Sequence, residues 1–226
     1  LLAAVNKADG LIAEAGAAIR AGDGIAAEVR LREALQAGAP REAVAALMGE
    51  ALLVQEAPDK ARAWLADGEF TQDTAAIGFR ALGRLELLDK NFPASAAAFD
   101  HAIALTPRDA TMWVEIGRMR YAGREHLLAI AASDYALSLD PKNVRALEFR
   151  AQIVRDRDGL LPSLAWFRRA LATAPDDMSV LGEYAATLGV LGRAKEMLVV
   201  TRKMIGIDGN DPLPFYLQAV LAARAG

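Results

Sequence analysis

Apolar residues recur at three- and four-residue intervals along almost the whole chain, in segments of about 10–16 residues separated by short polar or glycine-bearing joints. That interval places them on one face of a helix, and no alternating strand pattern competes with it. The pattern predicts helices over 8–21, 25–37, 42–55, 59–67, 73–89, 92–105, 109–122, 125–139, 143–156, 161–173, 177–190, 194–206 and 213–224. The joints carry Gly22, Gly123, Gly159 and Gly192, suited to the left-handed conformation that ends helices. Asp73, Asp140 and Asp177 stand beside helix starts, where a carboxylate caps backbone N–H groups or favours the positive end of the helix dipole.

The helical segments repeat. Pro107, Pro141 and Pro175 follow one another at 34-residue steps, each just past an Ala/Leu-rich segment in the settings ALTP, SLDP and ATAP. Proline there stops a helix because it cannot extend the hydrogen-bond ladder. At the same step, Ala15, Gly49, Gly83, Gly117, Ala151, Ala185 and Ala219 form a column of small residues. A second column runs Ala34, Gly68, Ala102, Ala136, Ala170 and breaks at Met204. A third is large and apolar, except at Ala45: Leu11, Ala45, Phe79, Trp113, Leu147, Leu181, Phe215. Two helices approach closely only where the side chains at their crossing are small. A large residue four positions earlier lies on the same helix face and fills the space beside that crossing. The columns therefore predict one close crossing repeated along a stack.

A 34-residue period with a large residue, a small one, then Ala, Phe and Pro resembles the tetratricopeptide repeat (TPR) family, of bacterial type given a composition rich in Ala, Leu and Arg. The best copies begin at Gly78 and Met112, and the copy from Val144 keeps Ala151, Phe167, Ala170 and Pro175. Gly209 replaces the proline in the following copy. Tyr121 lies one place later than the family's usual aromatic, and Glu86, Arg120 and Arg150 occupy positions that are often apolar. The resemblance implies an all-α fold: a right-handed α–α superhelical solenoid of about six helix pairs and a lone C-terminal helix. Its repeats fall near 8–41, 42–75, 76–109, 110–143, 144–177 and 178–211, with a half repeat at 212–226. No linker or boundary interrupts the pattern, so 1–226 is expected to be one solenoid. The chain opens without Met and ends in mid-pattern, and a fragment of a longer protein is expected.

Composition narrows the chemistry. The net charge of −3 gives no electrostatic reason to expect nucleic acid, whose binders carry a basic surplus. The absence of cysteine excludes disulfides, thiolate metal sites and cysteine nucleophiles. It leaves cytoplasm and periplasm equally open. No apolar run approaches the roughly 18 residues of a membrane span. The two histidines, His101 and His126, belong to no metal-binding spacing. The DRDG at 156–159 lacks the later ligands of a calcium loop, and GVLGR at 189–193 fails the phosphate-loop spacing. Neither an enzyme nor a cofactor is expected.

In the resembled family, the first (A) helix of each pair lines a concave groove. The residues there that the packing columns do not use are Arg80, Arg84, Thr111, Glu115, Arg118, Tyr121, Arg145, Glu148, Gln152 and Arg155. Guanidinium groups grip carboxylates in a bidentate way, so these residues form the expected peptide-binding groove, for a protein or peptide partner of acidic character. The competing reading is a solvated helix face carrying pairs such as Arg145–Glu148. One subtype of the family clamps the C-terminal carboxylate of heat-shock chaperones with Lys, Asn and Arg. No Asn stands among these residues and Glu115 would repel the ligand, so that clamp is not expected. The favoured function is an interaction scaffold. Alternatives are the docking or regulatory segment of a larger enzyme or of a secretion or assembly protein, and a helical-repeat RNA binder. Self-association is expected through Phe215, Leu217 and Val220 on the unpaired last helix.

Overall fold

The computed structural model describes residues 2–225, which contain thirteen α-helices and no strand. Their contacts divide them into two compact units, which meet in sequence at Arg124 and Glu125. The first holds α1 (Leu2–Arg20), α2 (Gly24–Gln36), α3 (Arg41–Val54), α4 (Pro58–Leu65), α5 (Ala75–Leu88), α6 (Phe92–Leu105) and α7 (Ala110–Ala122). The second holds α8 (His126–Leu139), α9 (Val144–Asp158), α10 (Leu160–Thr173), α11 (Met178–Val190), α12 (Ala194–Ile207) and α13 (Pro212–Ala225). Every predicted helix is present. The largest difference is at the first, which starts at Leu2 and not near residue 8.

Within each unit the packing obeys one rule. An A helix packs on its own B helix, as α3 on α4 and α9 on α10, and on the next A helix, as α3 on α5 and α11 on α13. A B helix packs on the A helix that follows, as α2 on α3 and α10 on α11. Such neighbour-only contact makes an all-α helical-repeat solenoid.

The small-residue column lies at these crossings. Ala15, Ala151 and Ala185 are fully buried, and Gly49, Gly83 and Gly117 are buried. A Cβ at Gly83 would stand 2.9 Å from the Phe99 ring on α6, and one at Gly49 would stand 2.3 Å from Leu65 Cδ2 on α4. Only Ala219 of this column is exposed. The residues sixteen positions on, Leu31, Leu65, Phe99, Ser133, Phe167 and Thr201, are all buried too. This column repeats no residue type, although its environment is constant. Ala34, Ala102, Ala136 and Ala170 are buried as a second crossing column, and Met204 fills the same buried position. Gly68 does not take part. α4 stops at Leu65 after eight residues, and Gly68 adopts φ +67° in the turn beyond.

Helix ends follow local chemistry. α6, α8 and α10 stop two residues before Pro107, Pro141 and Pro175, with the intervening Thr106, Asp140 and Ala174 at φ −133°, −140° and −128°. The pyrrolidine ring disfavours the helical region for the residue before it. Asp208 takes φ −139° at the end of α12 where Gly209 replaces the proline, so the turn does not depend on it. Asp177 caps α11 through the Val180 N–H, and Asp109 and Asn143 cap α7 and α9 in the same way. Asp140 instead accepts from Lys142 N–H within the turn.

The A-to-B turns correct one expectation. Gly123 has φ −75°. The left-handed residue there is Arg124 (φ +66°), in register with Gly22 (+79°), Glu56 (+57°), Lys90 (+59°) and Gly192 (+73°). At the turns of Gly22, Glu56, Lys90 and Gly192 the chain closes a Schellman pattern, with Asp23 N–H to Ala18 O, Ala57 N–H to Leu52 O, Asn91 N–H to Glu86 O and Arg193 N–H to Leu188 O. α9 ends two residues later in register than the other A helices, at Asp158, and its left-handed position moves to Gly159 (φ +98°).

Candidate functional site

The A-helix residues left over by packing form charged clusters in each unit. In the first unit, Glu50 of α3 is 4% exposed. Its Oε1 accepts from Arg84 Nη1 at 2.7 Å and from Arg80 Nη2 at 3.2 Å, both on α5. Glu50 and Arg84 are separated by one full repeat, so the stacking itself brings them together. Glu115 of α7 is half-buried and interacts electrostatically with the same two guanidinium groups. Burial raises its carboxyl above the usual range; Arg80 and Arg84 pull the other way, and Glu50 and Asp109 reinforce the rise. Burial alone would lower the Arg80 pKa, but Glu50 and Glu115 outweigh it and hold the guanidinium above its ordinary value. Among the described residues, Glu50 Oε2, Glu115 Oε2 and Arg80 Nε have no hydrogen-bond partner. The cluster is thus close to charge balance but not to hydrogen-bond balance.

In the second unit, Glu148 of α9 is 2% exposed. It accepts from Arg145 Nη1 at 3.2 Å and from Ser179 Oγ of α11 at 2.6 Å. Arg145 also reaches Asp177 at 3.8 Å. Arg155 of α9 donates to Glu183 of α11. Gln152, Arg118 and Tyr121 are half-buried on their helices. Thr111 is exposed, and its backbone N–H is held by the Asp109 cap.

The structure therefore brings the predicted residues into two sets, Arg80, Arg84 and Glu115 in one unit and Arg145, Glu148 and Arg155 in the other. It adds carboxylates that the sequence reading left out, Glu50 and Glu183. Their signal was legible: Glu50 stands one period before Arg84, with the opposite charge. The charge argument for an acidic ligand weakens accordingly, because Arg80, Arg84, Arg145 and Arg155 each meet a carboxylate of a neighbouring or the same helix.

The charged residues at normally apolar positions find local partners. Glu86, 9% exposed, accepts from Arg62 Nη1 and Asn91 Nδ2, both at 2.7 Å. Arg150 pairs with Asp134 at 3.0 Å and lies over the Trp166 ring at 5.6 Å. His101 is exposed and stacks on Phe79 at 4.9 Å, and His126 is exposed. Among the described residues, no group of three or more His, Asp or Glu could hold a metal ion, and no helix is long and apolar enough to cross a membrane. On α13, Phe215 is 49% and Tyr216 64% exposed. Leu217 packs against the core of its unit, and with Val220, Val190 and Met197 it lines a small apolar cleft between α11, α12 and α13.

No family model matches the sequence, and no curated protein matches it. Solved structures do match. The chain superposes on a chain of the APC/C hetero-tetramer Cut9–Hcn1 with a TM-score of 0.72 at 14% identity, covering 95% of this chain and 42% of that one. It is similar to Acl4, an assembly chaperone of RpL4, with a TM-score of 0.66 at 16% identity, covering 97% and 96%. It is also similar to YrrB, a TPR protein with an unusual peptide-binding site, with a TM-score of 0.50 at 14% identity, covering 83% and 97%. At these identities the likeness establishes the fold: the chain is an all-α helical-repeat solenoid of the tetratricopeptide type.

Proposed function

We propose that this chain is an interaction scaffold that holds a segment of a partner protein along the A-helix faces of its repeats. The observation that carries the reading is the Arg80–Arg84 pair on α5, whose guanidinium groups stay 26% and 36% exposed while Glu50 holds them in place from beneath. Part-exposed guanidinium groups fixed by a carboxylate present oriented N–H donors to polar groups of a bound segment. A helix pair stacked only on its neighbours also leaves a long side free for an extended ligand. Acl4 is described as an assembly chaperone and YrrB as having a peptide-binding site, which favours the same class of work for this chain.

Because the guanidinium groups already face carboxylates, the groove contributes fixed N–H donors more than net charge. Acidic character in the partner would add only what Arg80 and Arg84 gain beyond Glu50 and Glu115. Within the first unit Thr111, Arg118 and Tyr121 complete the set on α7, and the second unit carries a set of its own, Arg145, Glu148, Gln152 and Arg155 on α9. The test is capture of partners from the native cell extract by the full gene product, with identification by mass spectrometry. A protein captured by the wild type and lost with Arg80→Ala/Arg84→Ala is the expected result. Equal capture by the variant, or no protein captured, would overturn the reading.

A second reading, self-association, is favoured by the exposed pair Phe215 and Tyr216 at the start of α13. A concentration-dependent dimer in sedimentation equilibrium, lost on Phe215→Ser, is its expected result.

A further inference from the structure

The outer faces of α10 and α12 differ from every earlier B helix. At one pair of adjacent positions, stepping by 34 residues, the chain carries Arg32 and Glu33, Ala66 and Asp67, Asp100 and His101, and Asp134 and Tyr135. It then carries Arg168 and Arg169, and Arg202 and Lys203. The early cation in this column, Arg32, is paired with Glu28 at 2.6 Å. The later ones are not so matched. α10 contains no acidic residue, and the one acid of α12, Glu196, is bound by Arg193. Lys203 meets Asp176 at 3.0 Å, but among the described residues no carboxylate lies within ion-pair distance of Arg168, Arg169 or Arg202.

The geometry of two of these side chains is the same. Arg168 Nε donates to Leu164 O at 3.3 Å, and Arg202 Nε donates to Leu198 O at 3.1 Å, each to the carbonyl four residues back. These paired bonds, one repeat apart, hold the Nε edge of each guanidinium against its own helix, while both residues are exposed and their Nη forks bond no group among the described residues. That fork matches a carboxylate in bidentate geometry, and anchoring it in advance reduces the ordering cost of binding. Leu161 (63% exposed) lies seven residues before Arg168, and Val199 (62% exposed) lies three before Arg202, each on the exposed side of its helix.

We propose that the outer face of α10 and α12 docks an acidic protein segment, whose carboxylates take the Nη forks of Arg168 and Arg202 and whose apolar side chains rest on Leu161 and Val199. Arg169 and Lys203 flank the contact. Nucleic acid fits this face less well. Phosphate binding scales with the number of phosphates neutralised, and four cations in an acidic chain supply little of it. Base stacking needs an open aromatic ring, whereas Trp166 is half-buried with Arg169 over it at 4.5 Å. The site is separate from the A-helix groove, so the two readings stand or fall apart.

The experiment is fluorescence anisotropy of a labelled synthetic peptide of alternating Glu and Leu, about 12 residues long, titrated with the full chain at low and at physiological salt. Single-stranded polyuridine and phosphatidylglycerol vesicles serve as the other probes. Saturable peptide binding is expected, weakened at least about tenfold by Arg168→Gln/Arg202→Gln, where each lost charged contact is worth roughly a factor of ten. Arg108→Gln/Lys142→Gln removes the same charge from exposed positions elsewhere and should leave binding within about twofold. No peptide binding, equal loss in both double variants, or tighter binding to polyuridine or vesicles would overturn the proposal.

Discussion

Arg84 and Arg202 sit on the same kind of repeat, one on an A helix and one on a B helix, and their guanidinium groups meet opposite circumstances. Arg84 is brought against Glu50 by the stacking of α5 on α3, so its charge is matched by the chain. Arg202 lies on the outer side of α12, where the next helix does not reach, and its fork bonds no carboxylate. An Arg on a stacked face is first a part of the fold, and an Arg on the outer face is available to something else. Counting arginines along the chain does not distinguish the two.

The sharpest way to break this contrast is to remove a carboxylate from each side. Glu50→Ala leaves Arg80 and Arg84 half-buried without their main counter-charge and should cost about 2 kcal/mol in urea denaturation, less than the 3–5 typical of a fully buried pair because both arginines reach solvent. Glu196→Ala on α12 should stay within about 0.5 kcal/mol. Equal effects would abolish the distinction.

Packing offers a second comparison. Gly83→Ala forces a Cβ to 2.9 Å from the rigid Phe99 ring and should cost about 1–3 kcal/mol, although Ala occupies the same column at Ala151 opposite Phe167. A neutral result would show that the α5–α6 crossing can open to the spacing of α9–α10.

Acidity tests the stacked face alone. The raised Glu115 carboxyl means that the folded chain holds that proton more tightly than the unfolded chain does. Its contribution to stability is therefore full below the ordinary value of 4.5 and is lost as pH rises through the higher folded value. Glu115→Gln should gain stability relative to the wild type as pH rises above 4.5, read as a difference in urea midpoints. A flat difference would mean that Arg80 and Arg84 fully offset the burial of Glu115.

The smallest effect belongs to the turns. Lys90→Gly relieves a left-handed residue bearing a side chain and should stabilise by up to about 1 kcal/mol, whereas Gly22→Ala at the equivalent turn should destabilise by a similar amount.

Much of the fold was legible before any coordinates, because its signals are local or strictly periodic. Helix faces are written at three- and four-residue intervals, and the crossings are written as Ala or Gly at every thirty-fourth position. Where the periodic reading failed, a local event intervened. Gly68 kept the column's residue type but lay beyond the end of a shortened α4. Gly123 supplied the expected glycine, yet helical geometry ran through it and Arg124 took the left-handed turn. The candidate groove was half legible. Its residues could be located by exclusion from the packing columns, but of their partners only Glu50, one period before Arg84, left a signal. Glu50 and Arg84, Ser179 and Glu148, and Arg155 and Glu183 lie 28 to 34 residues apart, and neither member of a pair has a local reason to meet the other.

The sequence by itself determined the helices, the period and the small-residue crossings, because backbone hydrogen bonding and close approach constrain residue type wherever they occur. The tertiary structure alone decided which charges are matched and which remain outward. Electrostatic pairing depends on which helices stack, and stacking places one face of each repeat against its neighbour and leaves the other to solvent.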